Sequence, residues 1–312
     1  MRRVVVCAMA VAWAAANAGL EIRETPESIM VSRDGAVVLV YHKAEHPAPA
    51  GADPAFRRSG FIHPLCSPSG GILTGVRPAD HLHHMGLWHA WVRCTFRGRP
   101  VDFWNLKERT GTVRYRRTLG VCQDPAGIGF AVEQEHVAFG PGDVETVVLR
   151  ERLDVGVRFD GAANLITYTM TQTNVADAPL ELAAYRYGGG IAFRGPPGWT
   201  LDNSDYLTSE GRRRVDSHQT RARWCAMFGP TERGDATVAL FDHPSNRDAP
   251  QRLRTWNREH NGAVFCNFVP TQETPWVIRP GEEIRLRYGV AAWDGRVDAA
   301  AIEQRWREFA GR

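Results

Sequence analysis

The chain has 312 residues, 43% of them hydrophobic, with 38 basic and 35 acidic side chains for a net charge of +3. That length accommodates one large all-β domain or two small ones. The near-balanced charge, carried by arginines that are scattered rather than striped, argues against a nucleic-acid partner.

Residues 1–18 read as a leader rather than as part of the fold. Arg2 and Arg3 form a basic start, Val4–Ala16 is an apolar run, and Ala16-Asn17-Ala18 supplies a small-x-small cleavage pattern before Gly19. The pattern predicts export to the periplasm or the exterior. The run is too short to span a bilayer, and nothing later resembles a membrane helix, so no membrane association is expected after cleavage. Residues 19–312 are expected to form a single domain. Five cysteines remain there, Cys66, Cys94, Cys122, Cys225 and Cys266. Their odd number and wide spacing fit no disulfide framework or metal knuckle. They are expected mainly as small buried hydrophobes, with at least one free thiol.

Period-two patterns then dominate. Ser28–Ser32 and Ala36–Tyr41 flank Arg33-Asp34-Gly35, a hairpin signal. Phe61–Cys66 and Ile72–Leu73 flank a second turn. Further strands are predicted over Leu87–Phe96, Thr112–Leu119, Ile128–Phe139, Val144–Val157, Leu165–Asn174 and Leu180–Tyr187. The loop-rich stretch Arg194–Trp224 follows, then strands over Thr237–Phe241, Ala263–Phe268 and Ile284–Trp293. Asp298 is placed to cap one helix over Ala299–Phe309, with Ile302, Trp306 and Phe309 on one face. Many strands and one C-terminal helix predict an all-β protein, a large antiparallel sandwich.

The densest chemistry lies in Arg77–Trp91, where His81, His83, His84 and His89 fall within nine residues beside Asp80 and ahead of Trp88 and Trp91. Histidine titrates nearest neutral pH and is the commonest metal ligand. A carboxylate beside imidazoles fixes a tautomer and raises basicity. On an extended Leu87–Phe96, His89 and Trp91 project to one face. The spacing suits general acid–base work, and equally a divalent metal held by His81, His83, His84 and His89. In an extended segment, however, H-x-H-H sends neighbouring side chains to opposite faces. No cofactor is required by the sequence. Ten tryptophans offer flat faces of the kind that stack on sugar rings, although most are expected in the core.

Two other constellations stand out. Asp242-His243-Pro244-Ser245-Asn246 closes an apolar strand, as site furniture or as an Asx-type turn. Tyr185–Arg194 carries three glycines that permit close backbone approach, beside Tyr185, Tyr187 and Arg194. Glu210 and Glu273 are the added carboxylates.

Several of these segments together resemble the bacterial PmoA-like family. The resemblance rests on His63-Pro64-Leu65, on Asp80-His81-Leu82-His83-His84-Met85-Gly86-Leu87-Trp88, and on Asp102-Phe103-Trp104. It continues through Tyr187-Gly188-Gly189 with Arg194, Arg223-Trp224, Asp242–Asn246, Trp256 and Asn267. Met85 and Leu82 stand where the family has Arg and Pro. The resemblance implies a galactose mutarotase-like β-supersandwich and carbohydrate chemistry.

An exported, carbohydrate-processing enzyme is therefore expected, with lyase, hydrolase and epimerase unresolved. In this reading His84 or His83 is the acid or base and Asp80 orients the loop. His89 stands as a further catalytic candidate, and Arg194 or Arg223 holds a substrate oxygen. Trp88, Trp91, Tyr187, Asp242, His243, Asn246 and Asn267 are expected to bind substrate. The Asp80, His83, His84, His89, His243 and Asn246 side chains should converge. A metal-dependent enzyme and a non-catalytic carbohydrate-binding module are the alternatives.

Overall fold

The computed structural model describes residues 19–124 and 127–311; the expected leader lies outside them. Among the described residues the strands form three antiparallel sheets, two of eight strands and one of four. The first runs through Leu20–Glu24, Ser28–Arg33, Ala36–His42, Phe61–Leu65, Leu87–Trp88, Ala192–Arg194, Phe265–Val269 and Arg252–Thr255. The second runs through Asp205–Thr208, Trp224–Thr231, Gly234–Asp242, Glu283–Asp294, Ala163–Asn174, Glu145–Phe159, Gly127–Phe139 and Gly111–Asp124. Trp276–Ile278, Leu180–Leu182, Cys94–Phe96 and Arg99–Val101 make the third. The antiparallel all-β architecture expected from the alternation is the one observed.

Local chemistry explains the connections. Asp34 and Gly35 both take positive φ (50° and 81°), the backbone that a tight hairpin between twisted strands requires. The predicted helix spans Ala299–Ala310, and the Asp298 side chain accepts from Ala301 N at 2.8 Å. Ile302 and Phe309 pack with Phe241 and Trp293 in a second core outside the second sheet. The main core holds residues of both large sheets. No helix among the described residues is long and apolar enough to cross a membrane. The five cysteines are free, four buried and Cys122 exposed.

Two expected strands are shorter than the alternation implied. Leu87–Phe96 is broken into Leu87–Trp88 and Cys94–Phe96, because Arg93 takes a positive φ of 49° that no strand accommodates. Leu180–Tyr187 stops at Leu182. The chain then closes onto the core through Gly189 and Gly190. A Cβ at either would lie 2.1 Å from another atom, the Trp91 ring and the Phe268 carbonyl oxygen respectively. The stretch between Arg194 and Trp224, read as loop, contains the strand Asp205–Thr208.

Cross-strand register sets Gln134, Glu151 and Gln172 side by side on three neighbouring strands. All three are buried, with Glu151 at 0% exposure. His89 Nε2 and His136 Nε2 donate to Glu151 Oε2 at 2.6 and 3.0 Å. Gln172 Nε2 reaches the same oxygen at 2.6 Å, and Gln134 Nε2 donates to Oε1 at 2.9 Å. Tyr168 donates to His89 Nδ1 (2.8 Å), and Trp91 Nε1 donates to Gln172 Oε1 (2.8 Å). Burial alone would raise the Glu151 pKa, but its interactions with the His89 and His136 rings pull it well below the usual range. Arg58, fully buried, anchors the neighbouring backbone through the carbonyls of His89 (3.0 Å) and Phe103 (3.3 Å).

Glu151→Ala leaves several buried donors without their acceptor, so a loss of about 3–5 kcal/mol is expected. Urea unfolding of the purified variant measures it, and a loss of under about 1 kcal/mol would mean that the network is not structural.

Candidate active site

The histidine knot sits on a loop closed by the Val76–Met85 bridge. Inside it the chain makes two successive turns, His81 N donating to Pro78 O and His84 N to His81 O, both at 2.9 Å. Gly86 ends the loop at φ 74°, where a Cβ would meet the Ile62 carbonyl oxygen at 2.5 Å. The segment is therefore turned rather than extended, and its rings are not sent to opposite faces. His81 and His84 lie 4.7 Å apart between centroids, His83 and His84 4.7 Å, and His81 and His83 5.4 Å.

Neighbouring strands of the first sheet complete the cluster. Arg194 ends Ala192–Arg194, Phe265 begins Phe265–Val269, and Trp256 follows Arg252–Thr255. His84 stacks on Phe265 at 4.8 Å and lies 5.0 Å from Trp88. The Arg194 guanidinium lies 4.8 Å over the Trp256 ring. Sequence reading missed His260, which belongs to the short helical turn Glu259–Gly262. His260 and Asn261 take positive φ (53° and 57°). Gly262 follows at φ 68°, with no room for a Cβ beside Leu201. Consecutive non-glycine residues in this region are uncommon and gather at functional sites.

Asp80 organises the cluster electrostatically. Its Oδ2 accepts from His81 Nδ1 at 2.9 Å and lies 3.0 Å from His260 Nδ1, while Arg194 Nη2 stands 3.6 Å from Oδ1. Burial would raise the Asp80 carboxyl, but the His81 hydrogen bond and the Arg194 charge hold it below its ordinary value. A carboxylate only accepts, so the His81 imidazole carries its hydrogen on Nδ1 and presents Nε2, while His260 faces the same oxygen with its own Nδ1. Burial lowers His81 against the opposing pull of Asp80. Burial, with the charges of His81 and Arg58, brings His83 down to about 3. His84, 2% exposed, is held well below its ordinary value by burial and by His83. The buried atoms His84 Nδ1, Trp88 Nε1, Trp104 Nε1 and Arg194 Nη1 have no hydrogen-bond partner among the described residues.

Asp80, Arg194 and His260 open onto a cleft of about 210 Å³, with Thr200, Asn261 and Trp199 on its walls. A larger groove of about 500 Å³ crosses the second sheet beside Phe130 and Gly156. It contains no histidine, and its Arg152 and Asp154 pair with each other at 2.7 Å.

The other expected site residues do not join this cluster. His89 and Trp91 turn into the Glu151 network. Asn267 is fully buried and holds backbone: its Oδ1 accepts from Gly188 N at 2.8 Å, and its amide reaches Gly190 O at 3.1 Å. Arg223 pairs with Glu210 (3.2 Å) and Glu303 (3.4 Å) beside the C-terminal helix. Asn246 Nδ2 donates to Asp242 Oδ1 at 2.7 Å, and the His243 ring lies 5.3 Å from Phe309. Burial raises the Asp242 carboxyl to about 7. The expected convergence thus brings together Asp80, His83 and His84 with Trp88 and Trp256. His89, His243 and Asn246 share no hydrogen bond, ion pair or ring contact with that group. Glu273 is tied to Arg221 and Arg252. His63, from the first matched motif, bonds Thr74 Oγ1 at 2.9 Å and is lowered to about 4 by burial.

Residues 28–307 match the model of a family of unknown function, DUF6807, and the chain belongs to that family. No curated protein matches it. Similar solved structures include a galactose mutarotase related enzyme from Lactobacillus acidophilus, 8% identical, with 89% of this chain and 99% of that one covered at a TM-score of 0.41. A galactose mutarotase-like protein from Clostridium acetobutylicum is 7% identical over 88% of this chain and 98% of its own, at 0.43. Heparan sulfate lyase HepC from Pedobacter heparinus is 10% identical at 0.39, covering 91% of this chain but 36% of the lyase.

The buried imidazoles make stability pH-dependent in a defined direction. An unfolded histidine titrates near 6.5, whereas folded His63 and His83 titrate at about 4 and about 3. Between those values the unfolded chain binds more protons, so stability falls as pH drops below about 6.5. Chemical denaturation between pH 7.5 and about 5 should show this fall. Constant stability across that range would show that the rings are not held neutral.

Proposed function

We propose that the protein is an enzyme acting on a carbohydrate in the Asp80 cleft by imidazole general-base chemistry. The observation that carries this reading is the single carboxylate shared by His81 and His260, with Arg194 on its other oxygen. His260 fronts the cleft, so its Nε2 is the base. Asp80 fixes the ring and stabilises the positive charge that develops as the proton is taken. Arg194 and the Asn261 amide supply donors for substrate oxygens, and the Trp199 and Trp256 rings give the surroundings apolar faces. His83 and His84, which sequence reading put forward as acid or base, support the wall from behind. The motif-level resemblance to the PmoA-like family favours the same substrate class. Export follows as part of this proposal from the pattern of residues 1–18, and places the protein beside polymeric glycans.

A second reading has its own observation: donor atoms of Asp80, His81 and His260 lie within 4.8 Å of one another, a spacing that can hold a divalent ion. Two imidazole nitrogens and a carboxylate oxygen suit a transition metal. Arg194 already neutralises part of that carboxylate, which favours the acid–base reading.

Turnover should be sought on a panel of mono-, oligo- and polysaccharides, with and without chelator, alongside metal analysis. His260→Asn and Asp80→Asn should each lower turnover by about 10²–10⁴-fold while the melting temperature stays within a few degrees. Unchanged turnover in both variants contradicts the assignment. Activity lost to chelator and restored by one metal, with no metal retained by His260→Asn, selects the second reading.

A further inference from the structure

Aromatic rings lead continuously away from the histidine cluster. Beyond His84 come Trp88 (5.0 Å), Trp104 (a further 5.1 Å), Tyr187 (5.5 Å) and Tyr185 (4.9 Å). The two tryptophans are fully buried, whereas the two tyrosines are half-exposed. Tyr187 Oη donates to Asn105 Oδ1 at 3.1 Å, which fixes the ring.

Positive charge collects at the outer end. The Arg93 guanidinium lies 4.1 Å over the Tyr185 ring, and that of Arg186 lies 5.8 and 5.9 Å from Tyr185 and Tyr187. Arg254 stands close enough to feel both tyrosines and Arg186. It has Glu259 at 3.7 Å, and its Nη1 donates to His218 Nε2 at 3.1 Å. Arg93 and Arg186 are exposed and enter no ion pair among the described residues. Asp102 accepts from Trp104 N, Asn105 N and Asn105 Nδ2 and forms no ion pair with either arginine among the described residues.

We infer that Tyr185, Tyr187, Arg93 and Arg186 form a binding subsite for an acidic sugar residue of a chain, a more distant unit of which lies in the Asp80 cleft. This extends the carbohydrate reading above and rests on it. A sugar ring needs an apolar face for its C–H surface and donors for its rim oxygens, and the tyrosines give both. Guanidinium groups add forked donors that match a carboxylate or a sulfate. A nucleic acid fits less well, because the rings are tilted by 46°, 54° and 59° rather than parallel and so make no platform for successive bases.

Calorimetric titration of the purified protein tests the inference with four saccharide probes: an oligogalacturonate, its methyl ester, a sulfated dextran oligomer and neutral dextran. A single-stranded oligonucleotide is the fifth probe. The charged saccharides should bind more tightly than the ester and the neutral dextran, and less tightly as salt is raised. Comparison of the carboxylated and sulfated probes identifies the preferred acid group. The double variant Arg93→Ala with Arg186→Ala should lose about tenfold in affinity for the charged saccharides, with an unchanged melting temperature. His260→Asn should keep the binding, so failure to find turnover and failure of this subsite are separate results. Equal binding of the methyl ester, retained affinity in the double variant, or no binding of any acidic saccharide would overturn the inference. An oligonucleotide bound as tightly, with the same arginine dependence, would overturn it too.

Discussion

A carboxylate at 0% exposure between two sheets is the constraint on which the remaining architecture depends. Removing a charge from water costs several kcal/mol unless hydrogen bonds replace the lost hydration. Glu151 obtains four of them, from His89, His136, Gln134 and Gln172. Three of these partners come from the two strands beside it and fix sheet register, while His89 comes from the opposite side of the core. The network thus fastens the connection between Leu87–Trp88 and Cys94–Phe96. With that connection fixed, Trp88 is held where its ring meets His84 and Trp104.

The site above it follows a different logic. The Glu151 network is closed, with its carboxylate surrounded by donors and sealed from solvent. The Asp80 carboxylate is partly open, faces a cleft, and has two imidazoles and a guanidinium around it. Buried rings lie behind and more exposed groups in front, so the local dielectric rises from His84 outward to His260. An arrangement of this kind keeps the inner imidazoles neutral.

Much of this was legible in the residues themselves. Alternation located most of the long strands, Asp298 marked the helix start, and the density of histidines after Arg77 marked the loop that holds the cluster. What alternation could not show was which faces meet. Gln134 and His136 sit two residues apart on one strand, a polar pair at inward positions, and that was the available signal for the buried network. Its partner Glu151 emerges only from register, and Arg58 only from the approach of a distant loop. His260 was hidden because Asn261-Gly262 marks a turn but not that the turn folds back onto Asp80. Arg93 broke a strand through a left-handed backbone that arginine does not announce.

The central claim is that Asp80 holds two imidazoles in one tautomer with Nε2 facing outward. Nitrogen-15 NMR of the histidine rings at neutral pH measures this directly. The account predicts Nδ1 protonated in both His81 and His260, and a bare Nε2 in the half-buried His81 ring, with these signatures lost in Asp80→Asn. Rings protonated at Nε2, or signatures unchanged by Asp80→Asn, would contradict it.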